Sequence, residues 1–169
     1  MDLFSFLHEQ GIAYQRCDHP PVFTCGEANE LVPPLPGAKT KNLFLRDGKG
    51  RRHFLVSLGQ EKIVDLKGLA AVLGLSKLGF ASARRLERYL GLTPGAVSIL
   101  GVLNDPDQWV ELLVDRELWE ADAFQCHPLV NTSTLVIQKP DMERFLVLSG
   151  HPPGIIDVPE RYSLNRVVV

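Results

Sequence analysis

Two apolar runs, Leu43-Phe44-Leu45 and His53-Phe54-Leu55-Val56-Ser57, flank the turn-forming stretch Asp47-Gly48-Lys49-Gly50. Runs of this length hinged on a Gly-rich tetrapeptide form a β-hairpin, which sets its two strands antiparallel. A chain that reverses locally in this way departs from the strict strand–helix alternation of a parallel sheet. The remaining pattern belongs to the same class. Asp2 to Gln10, apolar at 3, 4, 6 and 7, reads as a short amphipathic helix capped by Asp2 and stopped by Gly11. Ile12 to Cys17 reads as a strand closed by Asp18-His19-Pro20-Pro21. Thr24 with Glu27 three residues on is a capping box for a helix to about Leu31, broken by Val32-Pro33-Pro34-Leu35-Pro36-Gly37. Asp65 and Ser82 cap helices over Leu66–Leu73 and Ala83–Leu90, ended by Gly74 and Gly91. Strands are expected near Val97–Leu100, Trp109–Val114, Phe124–Cys126 and Thr134–Ile137. A helix over Pro140–Leu148 carries Pro in its first turn, and Ile155–Val158 closes the set. The expected fold is α+β, one domain over 1–169, with a mixed, mostly antiparallel, strongly curved sheet. The tail from Glu160 to Val169 reads as peripheral, with Val167-Val168-Val169 as its buriable run.

A length of 169 residues is enough for one substantial core, and 45% hydrophobic with 22% charged residues is ordinary for a soluble globular chain. The formal net charge of −2 supplies no global attraction to nucleic acid, so any RNA contact has to come from a local basic patch. Two stretches are candidates: Lys49-Gly50-Arg51-Arg52-His53 with Arg46, and Arg84-Arg85 with Arg88. Each reads equally as a solvated hairpin or helix face. Three cysteines, Cys17, Cys25 and Cys126, are too few and too irregular for a disulfide framework or a zinc site. The N-terminus has no basic leader followed by a long apolar core, and no apolar run approaches the ~20 residues of a membrane span. The expected compartment is the reducing cytoplasm, with no membrane contact.

Four polar clusters stand at the ends of regular elements, where side chains converge on pockets. They are Lys41-Asn42, where the loop Pro36-Gly37-Ala38-Lys39-Thr40 enters a strand; Gly101 after Ile99-Leu100; His127 to Thr132; and Gly150-His151-Pro152. Cys126 adjoins His127, but neighbours on a strand face opposite ways, so Cys126 reads as a core thiol rather than a nucleophile. There is no His-x-x-x-His pair, no Gly-x-Ser-x-Gly elbow and no complete P-loop. What remains is a site without an obvious protein nucleophile or base. Lys, His, Asn, Thr and backbone N–H groups suit an anionic or ester-bearing substrate whose oxyanion they stabilise, with water or a substrate hydroxyl attacking. His19-Pro20 reads as a turn. For Lys41, His127 and His151 a purely structural role stays open at this stage.

Several segments recur in an order that resembles the YbaK/ProX family of freestanding aminoacyl-tRNA editing domains. They are Lys41-Asn42-Leu43-Phe44-Leu45, Val64-Asp65-Leu66-Lys67-Gly68-Leu69-Ala70, Phe80-Ala81-Ser82 and Leu92-Thr93-Pro94-Gly95-Ala96-Val97, followed by His127-Pro128 with Asn131-Thr132, and Gly150-His151. The likeness spans about Leu3 to Val158 and is strongest to the ProX, or prolyl-tRNA deacylase, branch. It implies a barrel-like mixed sheet flanked by helices, no metal or organic cofactor, and hydrolysis of alanine mischarged onto tRNA(Pro). The implied partners are the 3′ aminoacyl-adenosine end and acceptor stem of tRNA, with transient association with prolyl-tRNA synthetase. Carried over by position, Lys41 and Asn42 orient the 3′ end, and Gly101 and His127 contact the ester. Asn131, Thr132, Gly150 and His151 wall and support the pocket. Val22, Phe23, Leu31, Val32 and Leu35 flank the loop before Lys41 and read either as the amino-acid pocket or as ordinary core. A non-catalytic aminoacyl-tRNA or nucleotide-binding module, a deacylase for Cys, Ser or Thr, and a metal-dependent hydrolase are the rival readings.

Overall fold

The computed structural model describes residues 1–162, so Val167-Val168-Val169 lies outside the described residues. One long strand, β2 (Ala38–Asp47), organises the molecule. Its first residues pair in parallel with β6 (Ala123–Cys126), Ala38 opposite Phe124 and Lys39 opposite Gln125. From Thr40 opposite Gly59 to Arg46 opposite His53 it pairs antiparallel with β3 (His53–Gly59). β2 is thus shared between two sheet halves. Outward from β6 come β7 (Ser133–Gln138) and β1 (Gln15–Asp18), both antiparallel. Outward from β3 come β5 (Val110–Asp115) and β8 (Gly154–Ile156), both parallel, while β4 (Leu78–Phe80) pairs antiparallel with the end of β2. The sheet is therefore mixed, and the path from β1 to β8 is open.

The hairpin between β2 and β3 forms as its turn chemistry requires. The Asp47 carboxylate accepts from the N–H groups of Arg51 and Arg52 at 2.7 and 3.0 Å, and Gly50 takes φ +65°. Helix starts follow the cap residues. Asp2 caps α1 (Leu3–Glu9), and Ser82 accepts from Arg85 N–H to cap α4 (Ala83–Leu90), which Gly91 ends at φ +61°. At α2 (Cys25–Leu31) Thr24 accepts from Glu27 N–H, and the Glu27 carboxylate returns to Phe23 N–H. α2 buries none of its side chains. Asp65 stands before α3 (Leu66–Val72) but makes no side-chain cap bond.

Three expectations change. Ile12–Cys17 is a strand only from Gln15; Ile12 instead turns back, its N–H donating to Leu7 O, and sits in the core. The strand expected at Val97–Leu100 is replaced by two 3₁₀ turns, Pro94–Ala96 and Ile99–Asn104, because Ser98 Oγ accepts from Leu100 N–H and winds the chain. β4 and the four-residue α5 (Arg116–Trp119) were not expected, being shorter than any recurrent pattern.

β3 is buried on both faces. Leu55, with Phe44, Leu112 and Val114, packs into a cluster that includes Leu86 and Leu90 of α4, Phe6 and Leu7 of α1, and Met142 and Phe145 of α6 (Lys139–Leu148). Phe54, Val56 and Leu58 pack on the other face with Leu45, Leu69, Ala70 and Leu78. Each such fully buried Leu or Phe contributes ~1.5–3 kcal/mol of transfer free energy. No helix among the described residues is long and apolar enough to cross a membrane.

Candidate functional site

Where the two sheet halves meet on β2, a cleft opens. Its larger part, about 150 Å³, is bounded by Val22, Phe23, Lys41 and Asn42, by Pro94, Gly95 and Val97, and by His127. A smaller recess of about 50 Å³ continues past Thr40 and Gln60 to Gln125, Cys126 and Thr134, with Ala28 and Val32 on the α2 side. Ala28, Thr40, Gln60 and His127 border both parts.

Lys41 is not at the strand mouth but four residues into β2, since Ala38 to Thr40 already pair. Its neighbour Asn42 shares a face with Ser57, whose hydroxyl donates to Asn42 Oδ1, while Asn42 Nδ2 reaches toward Val97 O at 3.5 Å. Lys41 is half-buried and carries no ion pair among the described residues, which leaves its ammonium available to an anion.

His127 follows directly on β6. Its Nδ1 lies 3.1 Å from Ser133 O, a group that can only accept, so Nδ1 carries the hydrogen and Nε2 presents a lone pair. Its own carbonyl accepts from Ser98 Oγ at 2.6 Å. Burial, the largest influence, holds its pKa below the ordinary histidine value; the Ser133 bond opposes that and His19 adds to it. The imidazole is therefore a neutral acceptor fixed at both ends of its residue. Cys126 is buried, and its thiol is pushed up to about 12, so it is no thiolate nucleophile.

Several residues of the cleft were not anticipated. His19 is more than a turn residue: its Nδ1 lies 2.9 Å from Pro20 O and its Nε2 2.9 Å from Thr134 Oγ1, so the ring accepts from the threonine that borders the recess. Gln125 donates Nε2 to Leu35 O, Pro36 O and Gly37 O at 2.9, 3.3 and 3.2 Å, holding the Pro-rich loop against the sheet. Thr40 donates to Gln125 O at 2.6 Å. A signal was present for Gln125, an uncharged polar residue amid the apolar strand Ala123–Cys126.

Not every residue singled out in the sequence reaches the cleft. Lys41, Asn42, His127, Val22, Phe23 and Val32 do. The carbonyls of Asn131 and Thr132 accept from Val22 and His19 N–H and so pin that segment beside the cleft, and the Asn131 side-chain amide lies next to Gly95 on the cleft wall. Gly101 is buried in the second 3₁₀ turn, its N–H already donated to Ser98 O. A Cβ there would stand 2.6 Å from Leu92 Cδ1, so this glycine serves packing and has no N–H to offer an oxyanion. Gly150, at φ +81°, and His151 lie elsewhere, after α6. His151 is buried between Ser149 O at 3.0 Å and the Asp105 carboxylate at 3.2 Å, and that carboxylate also receives Trp109 and Val110 N–H. Leu31 is exposed on α2, and Leu35 supplies a carbonyl to Gln125 rather than an apolar wall. Among the described residues no three His, Cys, Asp or Glu side chains converge as a metal-ligand set.

Comparison with known proteins matches this arrangement to a family. The model of the aminoacyl-tRNA editing domain matches residues 19–145. The prolyl-tRNA editing protein ProX of Acetoanaerobium sticklandii is 41% identical over 145 residues, covering 86% of this chain and 88% of its own length. The prolyl-tRNA synthetase associated domain-containing protein 1 of Danio rerio is 36% identical over 157 residues, covering 92% and 85%. A solved structure described as a candidate trans-editing enzyme for prolyl-tRNA synthetase superimposes with TM-score 0.67 over 95% of this chain and 96% of that one; at 16% identity it supports the fold alone. The chain belongs to the aminoacyl-tRNA editing domain family.

Proposed function

We propose that the protein is a trans-editing hydrolase that deacylates misacylated tRNA(Pro), with alanine as the amino acid removed. The family and the ProX relative support the reaction class. The observation that carries the reading is His127, neutral, doubly anchored and bordering both parts of the cleft, beside a buried Cys126 whose thiol stays protonated. In this reading the terminal adenosine lies in the larger part, and the Lys41 ammonium holds its phosphate or steers the ester. Lys41 is a clamp, and the nucleophile is water. His127 Nε2 accepts a hydrogen bond from the attacking water or from the free ribose hydroxyl beside the ester. Water adds to the ester carbonyl, the carbon–oxygen bond to the ribose breaks, and the ribose oxygen takes up the proton. An aminoacyl ester is already activated, so positioning plus polar contacts worth ~3 kcal/mol each suffice for a useful rate.

Selectivity falls to the recess. About 50 Å³ is room for three to five waters at ~10–15 Å³ each, ample for a methyl group, so that proline with its three ring methylenes is turned away by the shape of the recess and not by its volume alone. Each surplus methylene costs ~1–3 kcal/mol in such a pocket. The partner is tRNA, and an encounter with prolyl-tRNA synthetase belongs to the same proposal, in keeping with the naming of the Danio rerio relative.

The test is incubation of the pure protein with Ala-tRNA(Pro) and Pro-tRNA(Pro). The alanyl ester should be lost much faster than in buffer and the prolyl ester should persist; no acceleration for alanine sinks the proposal. Cys-, Ser- and Thr-tRNA(Pro) in the same assay identify the amino acid if alanine is not the best. Lys41→Ala should abolish turnover with an unchanged circular dichroism spectrum.

A further inference from the structure

The fold joins two basic stretches that are separate in sequence. Arg85 of α4 donates from Nη1 to Gly50 O at 3.1 Å and lies 2.9 Å from His53 Nε2, which fastens the helix to the hairpin. His53 sits between Phe44 and Tyr89, ring centroids 5.8 and 4.3 Å away, so the junction is rigid. Arg85 thereby brings the hairpin's Arg46, Lys49, Arg51 and Arg52 beside the helix that carries Arg84 and Arg88, a local concentration of cations in a chain whose net charge is −2. Some of these cations are already occupied: Arg52 by Glu111 at 2.7 Å, Arg46 by the turn carbonyls of Asp47 and Gly48. Lys49, Arg51 and Arg84 are exposed and have no carboxylate partner among the described residues.

The surface is in register with the cleft. The cross-strand pairs Asn42–Ser57, Phe44–Leu55 and Arg46–His53 follow one another on the face of β2 and β3 that packs into the core, so they fix the spacing between cleft and basic surface and are not themselves the path of the RNA. Asn42 borders the cleft and Arg46 begins the basic surface, four residues on, about 13 Å at ~3.3 Å per residue. That equals the rise of roughly four stacked nucleotides at ~3.4 Å each. An RNA whose 3′ ester sits in the cleft and whose last nucleotides are unpaired would bring its duplex onto this surface.

We infer that the surface made by the β2–β3 hairpin and α4 binds the sugar-phosphate backbone of the tRNA acceptor stem. The inference rests on the function proposed above. It assigns to Lys49, Arg51 and Arg84 the sequence-independent part of tRNA affinity, by phosphate neutralisation and counterion release, leaving the cleft to read the ester.

The experiment uses the full chain with Lys49→Glu, Arg51→Glu and Arg84→Glu combined, checked for an unchanged thermal melt. The corresponding triple alanine variant takes its place if the reversal fails to fold. Deacylation is measured on Ala-tRNA(Pro) and on an alanyl-CCA trinucleotide. The expected result is a KM for the tRNA raised about tenfold or more at low salt, with kcat unchanged. The trinucleotide should be hydrolysed at the wild-type rate. The slope of log kcat/KM against log salt should flatten by about two to three for the three lost phosphate contacts. An unchanged KM and salt slope for the tRNA overturn the inference. Binding of uncharged tRNA(Pro), followed by fluorescence anisotropy, separates this from failure of the hydrolase reading. Patch-dependent, salt-sensitive binding by a protein that cleaves neither ester would keep the surface and discard the chemistry.

Discussion

Gly37→Ala tests how the two sheet halves are joined. Gly37 immediately precedes β2, at φ +90°, and an added Cβ would stand 2.9 Å from both the carbonyl carbon and oxygen of Ala123. Two penalties add. The left-handed backbone region costs a residue with a Cβ ~1–2 kcal/mol. The contact is with backbone and cannot be relieved by rotating a side chain, so β6 must shift, an overpacking cost of ~1–3 kcal/mol. The expected loss is ~2–5 kcal/mol. Gly11→Ala is the reference, since Gly11 has φ +61° and open space around its missing Cβ; it should lose only the ~1–2 kcal/mol backbone term. The measurement is urea unfolding of wild type and both variants with unchanged m-values. Trp119, stacked on Phe124 at 5.4 Å, is a fluorescent reporter beside the strained point. Gly37→Ala should also raise KM, because Thr40 and Gln125 lie on the strands being pushed apart. Equal destabilisation by the two substitutions would refute the close approach of the loop to β6.

Stability should fall on the acid side. Burial holds both His127 and His53 below the ordinary histidine value, for His53 with help from Arg85, so the unfolded chain binds more protons once pH drops below ~6.5. The urea midpoint should be flat above that value and decline as pH falls through it toward the depressed folded values, less steeply in His127→Gln; an identical decline in the variant removes His127 from the effect. His127→Ala should lower kcat roughly 100-fold if Nε2 accepts the reacting hydroxyl's hydrogen bond, and a tenfold or smaller loss excludes that role. Ser98→Ala strips the bond to His127 O and the one from Leu100 N–H in a fully buried place, at ~1–3 kcal/mol by urea unfolding. His151→Ala should lose a similar ~1–3 kcal/mol yet keep its kcat on Ala-tRNA(Pro) where folded; a tenfold fall in kcat would return His151 to the site.

How much was legible in advance follows from where the determining contacts lie along the chain. Helix starts at Asp2, Thr24 and Ser82 and the hairpin at Asp47–Gly50 are specified by residues three to five apart, so local reading finds them. Ile99 to Val102 is buried throughout; with no exposed face there is no period to separate strand from 3₁₀ turn. Lys41, Asn42 and His127 were identifiable as polar residues beside apolar runs. Thr40 and Thr134 were not, because a polar residue within a strand reads as outward-facing until its neighbours across the sheet are known; Gln125 stood out in its apolar strand, but the loop it holds did not. Two of the three His-Pro pairs show the limit best. His127 and His151 look alike in sequence; what distinguishes them is Asp105, 46 residues before His151, and Ser98, 29 residues before His127.

The exposed character of α2 has a consequence for how such a protein can change. This helix walls the cleft through Cys25 and Ala28 yet contributes nothing to either core, and polar contacts hold it: Gln60 to Cys25 O and Asn29, and Lys39 to Asn29 at 2.8 Å. Substitutions there reshape the mouth of the pocket without opening cavities in the interior. Substrate preference can therefore drift over generations with little penalty in folding, and the strands beneath need no compensating repair. In the function proposed above, the mouth of the amino-acid pocket is thus a part of the molecule whose mutations the fold tolerates readily.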